Sequence, residues 1–242
     1  MEVLVVQFRM RPEMIALEQS EYTHALAADT PRFLSALDES LPWQTPEALI
    51  DGARAVILAG AGELDFDGGR SPRDPILGES ERVLARLTPL VSYLLENDFP
   101  TLGVCYGHQL IGRVQGAEVA HDTGQHKRGT HVISLTEAGK ADALFGACPR
   151  EFCAQYGHKD ALTSLPNGAV LLAHAPRCHF SALRYGNNVY TTQFHPELSA
   201  SDMARHSEEF GHLLPETRTC CPIQESLEAD TLIPRFIELQ KD

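Results

Sequence analysis

The chain has 242 residues, 43% hydrophobic and 22% charged, the balance of a globular protein with a buried core. A formal net charge of −13 argues against a nucleic-acid surface, which needs clustered Lys and Arg. The opening MEVLVVQFRMRPE is apolar over too short a run to span a membrane and is followed by no small-residue cleavage site, so the expected location is the cytoplasm.

Residues 2–8 (EVLVVQF) read as a buried strand, followed by mixed helical spacing over PEMIALEQSEYTHALA and a short strand within 31–38. TPEALIDGA reads as a short helix with Thr45 as N-cap and Pro46 at its first position. ARAVILAG (53–60) is a second buried strand running into a Gly-rich loop. A long helix is expected next, with Ser80 as its cap and Pro89 as a kink; Val83, Leu84, Leu87, Leu90, Val91, Leu94 and Leu95 form its apolar face. FPTLGV is a short strand, and CYGHQLIGRVQG a helix closed by Gly116. THVISL, REFCAQY, AVLLAH, FSALRY and NVYTTQF read as strands, residues 199–224 as irregular, and ESLEADTLIPRFIELQ as a closing helix interrupted by Pro234. Alternating strands and helices, then closely spaced strands, imply an α/β fold: a mainly parallel open sheet with helices on both faces and a small antiparallel extension. With no repeat or linker, residues 1–242 are expected to form a single domain.

Six cysteines occur without a C-x-x-C pair, and the Cys148/Cys153 and Cys220/Cys221 spacings suit zinc poorly. Cys148, Cys153, Cys178, Cys220 and Cys221 are therefore expected to be reduced structural thiols. Cys105 differs in its neighbours. Gly103-Val104-Cys105-Tyr106-Gly107 is a G-x-nucleophile-x-G pattern at a strand-to-helix junction. Glycines on both sides allow a tight turn that projects the thiol, and the helix N-terminus favours thiolate, the attacking species. The Tyr106 N–H there can hold an oxyanion, with a second N–H from Gly60 or Ala61 in the loop after the 53–60 strand. His195 and Glu197 in Gln-Phe-His-Pro-Glu are two apart in an extended segment and so share a face, as a base and its orienting carboxylate require. Alone, each pattern is short enough to match by chance; together they supply nucleophile, base and orienter.

GVCYGHQL followed some ninety positions later by QFHPE resembles the class I (triad-type) glutamine amidotransferases, especially stand-alone members related to the amidotransferase domain of GMP synthetase. The Gly-rich loop at 60–62, T136-E-A-G-K, H158-K-D160, L165-P-N-G-A and L172-A-H extend the similarity over roughly residues 53–198. The resemblance implies a flavodoxin-like sheet and a triad of Cys105, His195 and Glu197 acting on glutamine or another γ-glutamyl amide through a thioester. It also implies that Gln109 and backbone near Tyr156 and Gly157 hold the glutamyl group, and that His158 and Asp160 support the site or face a partner. The family's Gly-Gly-Pro loop is here Gly60-Ala61-Gly62, followed by Glu63. The segment DFDGGRSPRDPILGES is expected to form a rim over the pocket, with Asp65, Asp67 and Arg70 either solvated or selecting substrate.

No cofactor or metal is expected: His121, His126 and His131 share no regular face, and G-x-x-x-x-G-K-[ST] is absent. Trp43 is expected to pack in the core. Three functional readings stand open: a glutaminase feeding ammonia to a separate synthetase, a partner-independent γ-glutamyl peptide hydrolase, and a catalytically silent binding module. For either enzyme, activity is expected to fall on the acid side as His195 protonates.

Overall fold

The computed structural model describes residues 2–27, 29–210 and 222–240; Cys220 and Cys221 lie outside them. In chain order the elements are β1 (Glu2–Gln7), α1 (Pro12–Leu26), β2 (Thr30–Ser35), α2 (Pro46–Ile50), β3 (Ala53–Leu58), α3 (Pro75–Glu96), β4 (Thr101–Val104) and α4 (Tyr106–Val114). There follow β5 (Val119–His121), β6 (Lys127–Leu135), α5 (Glu137–Lys140), β7 (Glu151–His158), β8 (Asp160–Leu162), β9 (Ala169–Ala175), β10 (Cys178–Tyr185) and β11 (Val189–Thr192). The last are α6 (Ala200–Phe210), α7 (Leu227–Asp230) and α8 (Leu232–Glu238).

Nine strands form one sheet in the order β2-β1-β3-β4-β11-β10-β9-β6-β7. From β2 to β11 all neighbours run parallel, and from β11 to β7 all run antiparallel. The mixed sheet with its mainly parallel first half is the architecture expected from the sequence. The parallel strands are nearly continuous apolar runs because helices cover both faces of such a sheet. Val3 to Val6 and Val56 to Leu58 are fully buried. β5 and β8 pair separately.

Several boundaries differ from expectation. α3 begins at Pro75 under Asp74, whose carboxylate accepts from Ile76 N at 3.0 Å; Ser80 is fully buried inside the helix. The cap lies upstream in the charged rim, where Asp74-Pro75 carries the usual start signal. α3 continues through Pro89 to Glu96. Thr45 occupies the N-cap position of α2 without a side-chain cap. Residues 200–210 are helical rather than irregular. The closing helix breaks at Thr231, whereas Pro234 lies in the first turn of α8, where a missing N–H leaves no helix bond unmade. Trp43 is buried and donates from Nε1 to Asp38 O at 2.8 Å.

The antiparallel half curls back on the parallel half. His195 N donates to Gln155 O at 2.9 Å, an isolated bridge that ties β7 to the segment leaving β11. That closure gathers the ends of β3, β4, β7 and β11 into one place.

Leu87 of α3 is fully buried in the core. Leu87→Ala should cost about 2–5 kcal/mol in denaturant unfolding, a cavity loss with no expected change in the chemistry of the site.

Candidate active site

Cys105 joins β4 to α4 with φ of 49° and ψ of −95°, a strained conformation for a residue with a side chain. The surrounding glycines make it attainable. A Cβ on Gly107 would come within 2.2 Å of Leu58 O, and one on Gly103 within 2.9 Å of Gly107 O. Only bare backbone lets α4 start this close to β3 and β4. Gly107 N donates to Ala59 O at 3.1 Å, and Cys105 N to Thr192 O at 2.7 Å, so the elbow is fastened to both neighbouring strands.

The segment after β11 then delivers its side chains beside the thiol. His195 Nδ1 lies 2.6 Å from Glu197 Oε1, and the imidazole is also hydrogen-bonded to the Cys105 side chain. All three residues are buried. Burial alone would disfavour the imidazolium, but Glu197 and the Cys105 sulfur override it and raise the His195 pKa well above 6.5. Gly60 packs on the same group: a Cβ there would meet His195 Cε1 at 3.0 Å and Cys105 Cβ at 3.7 Å.

A pocket opens over the thiol, lined by Ala61, Gly62, Cys105, Tyr106, Gln109, Gly157 and His195 among others. The structure therefore brings together almost every residue singled out in the sequence. Tyr156 is the exception: its side chain is fully buried, its hydroxyl donates to Ser181 Oγ at 2.9 Å, and only the adjoining Gly157 lines the pocket. Gln109 donates from Nε2 to Asp160 O at 2.7 Å and to Gln193 Oε1 at 3.1 Å.

His158 and Asp160 form the wall beside Gln109. His158 Nδ1 donates to Asp160 O at 3.0 Å, and burial pushes its pKa down to about 3, so it is neutral. Burial raises the Asp160 carboxyl, opposed by two backbone donors: Asp67 N at 2.8 Å and Gly68 N at 2.7 Å. The rim charges are paired, with Asp65 buried and Asp67 and Arg70 partly exposed. Asp65 is buried and its Oδ2 accepts from Arg70 Nε at 2.6 Å and Lys159 Nζ at 2.7 Å, while Arg70 also reaches Asp74. Phe66 stacks on Tyr106 with centroids 4.8 Å apart.

Sequence reasoning missed Arg9, Lys159, Gln193 and the α6 residues Met203, His206 and Ser207. All but Gln193 line the pocket. Arg9 is held by Glu18 at 2.7 Å and His206 by Glu21 at 2.9 Å, both acceptors on α1. Gln193 alone carried a usable signal, being two residues before His195 in a segment expected to be extended. The backbone in fact bends at 193–194 and turns at 196–197, so the side chains converge through the turn and not through strand alternation. His121 and His126 do meet, at 3.1 Å, through the turn between β5 and β6. Among the described residues no three His, Cys, Asp or Glu side chains are arranged to hold a metal ion, and no helix is long and apolar enough to cross a membrane.

An imidazole NMR titration should place the His195 midpoint above 6.5. In Glu197→Gln the midpoint should fall by about one unit or more, because a buried charge partner is lost. An unchanged midpoint would deny the electrostatic coupling.

The glutamine amidotransferase class-I model matches residues 77–210, more than half of the chain. A protein of Methanocaldococcus jannaschii, named as a subunit of glutamine-hydrolyzing GMP synthase, is 34% identical over 113 residues, covering 46% of this chain and 58% of that protein. Its namesake from Archaeoglobus fulgidus is 36% identical over 107 residues, covering 44% and 56%. These matches thus span little more than half of each relative. In fold, the chain is similar to a glutamine amidotransferase from Thermotoga maritima, with a TM-score of 0.60 at 18% identity over 99% of this chain and 91% of that one. With the elbow cysteine and the His-Pro-Glu segment just beyond the ends of adjacent strands, and a family model spanning residues 77–210, the chain belongs to the class I glutamine amidotransferase family.

Proposed function

We propose that the protein hydrolyses the side-chain amide of glutamine or another γ-glutamyl compound, releasing ammonia or an amine. The observation that carries this reading is the buried run of sulfur, imidazole and carboxylate at the floor of a pocket. Cys105 attacks the amide carbon as thiolate. The developing oxyanion is held by backbone N–H groups, that of Tyr106 at the start of α4 and one from Gly60 or Ala61. His195, already favouring its protonated form, gives its proton to the leaving nitrogen as the C–N bond breaks and a thioester remains. Neutral His195 then takes a proton from water, which attacks the thioester; the C–S bond breaks and glutamate leaves. Glu197 holds the imidazole's tautomer and orientation throughout.

In this reading Gln109 grips the glutamyl end. Its side chain donates to Asp160 O and to Gln193 through Nε2, which leaves Oε1 to accept from a substrate ammonium. Gly157 supplies backbone along the same wall, beside Tyr156. Ammonia delivery to a separate synthetase is favoured over a partner-free peptide hydrolase by relatives that are named as one subunit of a GMP synthase. One domain over residues 1–242 is part of the same proposal.

The raised His195 pKa changes the expected pH response. Activity needs the imidazolium as proton donor, so it should fall on the alkaline side as His195 loses its proton. In Glu197→Gln the alkaline limb should move to lower pH.

Purified protein given glutamine and a panel of γ-glutamyl amides, with ammonia and glutamate measured, tests the proposal directly. Cys105→Ala should reduce turnover by at least about a thousandfold. Turnover that survives in Cys105→Ala would end the assignment, and a substrate preference for γ-glutamyl peptides over glutamine would favour the partner-free reading.

A further inference from the structure

Gln193 stands two residues before His195, at the bend that follows the end of β11. That bend lies beside the elbow, because Cys105 N donates to Thr192 O across the seam between β4 and β11. Gln193 is 1% exposed, and its Nε2 lies 3.6 Å from Cys105 Sγ. The sulfur thus has an imidazole and an amide donor as neighbours, both from the segment that leaves β11.

The direction of that bond follows from a carbonyl. Asp160 O can only accept, so the Gln109 side chain must present its NH2 end there. The same NH2 end meets Gln193 and can only be matched by Oε1, which turns the Gln193 NH2 end to the sulfur. Asp160 O is itself held in place by the neighbouring His158 N–H. Each link is buried, where a hydrogen bond to a charged atom is stronger than in water.

We propose that Gln193 is a positioning residue for the nucleophile: its amide donates to the Cys105 sulfur, holds it in one orientation and favours its thiolate, with the polarity set by the Asp160 carbonyl through Gln109. This rests on Cys105 being the nucleophile. A thiolate gains more from the donor than a thiol does, so the bond acts before attack and again when sulfur leaves the thioester carrying the C–S electron pair. The other charged and titratable groups facing this region are His195 with Glu197 behind it, Cys178 from β10, His158, Lys159 and Asp160 on the facing wall, Asp65 on the rim, Arg128 and His206 across the pocket, and Arg9 beyond β1. Among these groups only His195 also bonds the sulfur, and it does so as an ionisable partner rather than a fixed neutral donor.

The test is the pH dependence of iodoacetamide alkylation at Cys105, followed by peptide mass spectrometry. Gln193→Met keeps the length and removes the donor, and should raise the alkylation midpoint by about one unit. Gln193→Glu keeps an acceptor for Gln109 but faces the sulfur with an acid, and should raise it further. Unchanged midpoints in the two variants would overturn the proposal. In the unmutated protein, which needs no variant to fold, the Gln193 side-chain amide protons should titrate in NMR with the alkylation midpoint; resonances that ignore it would also overturn the proposal. Neither measurement needs turnover. Failure of the wild-type protein to release ammonia from any amide would instead defeat the hydrolase reading.

Discussion

Every feature of the site depends on β11 lying parallel against β4, with Thr192 opposite Val104. This pairing sets residue 105 beside residues 193–197, a chain separation of some ninety residues closed by sheet hydrogen bonds. The entropic cost of closing so long a loop grows only as about (3/2)RT ln n, so the intervening strands can be inserted without forfeiting the pairing. Those strands then support it: the antiparallel half returns through β7, and Gln155 receives the His195 backbone N–H from the opposite side. His195 is fixed by backbone bonds before any side-chain contact is counted.

Burial determines what these contacts are worth. An imidazolium removed from water is costly unless partners compensate it, and here a carboxylate and a sulfur lie against it. Further out, Arg9 is matched by Glu18, whose other oxygen accepts from Gln7, and His206 by Glu21. The pocket is therefore charged at several points yet internally paired. Removing one member of such a pair leaves its partner buried and uncompensated, a larger loss than the pair's net contribution.

The elements legible in the sequence were those whose pattern is local. Continuous apolar strands, the glycine-flanked cysteine and the two-residue spacing of His195 and Glu197 all express backbone geometry over a few residues. The α3 start was misplaced because Ser80 offered a reasonable cap inside the helix, while Asp74 was hidden in a charged stretch read as rim. The α6 helix was missed because its apolar positions are sparse and its contact with the pocket comes from Met203, His206 and Ser207. Lys159 and Asp65 were separately visible, but nothing in their 94-residue separation signals that they form an ion pair. Gln193 was within reach through its place two residues before His195, although the segment bends and turns instead of alternating as a strand.

The rim between β3 and α3 is built before any substrate arrives. Two backbone amides are seated on Asp160, Asp65 is clamped between Arg70 and Lys159, and Phe66 lies flat on Tyr106. A ligand entering such a cleft meets a wall that has already lost its conformational freedom during folding. Little of the attraction between ligand and wall need then go into ordering the protein. Because Asp160 anchors both this wall and Gln109, loosening the rim would also loosen the Gln109 side chain, and mouth and floor would slacken as one unit.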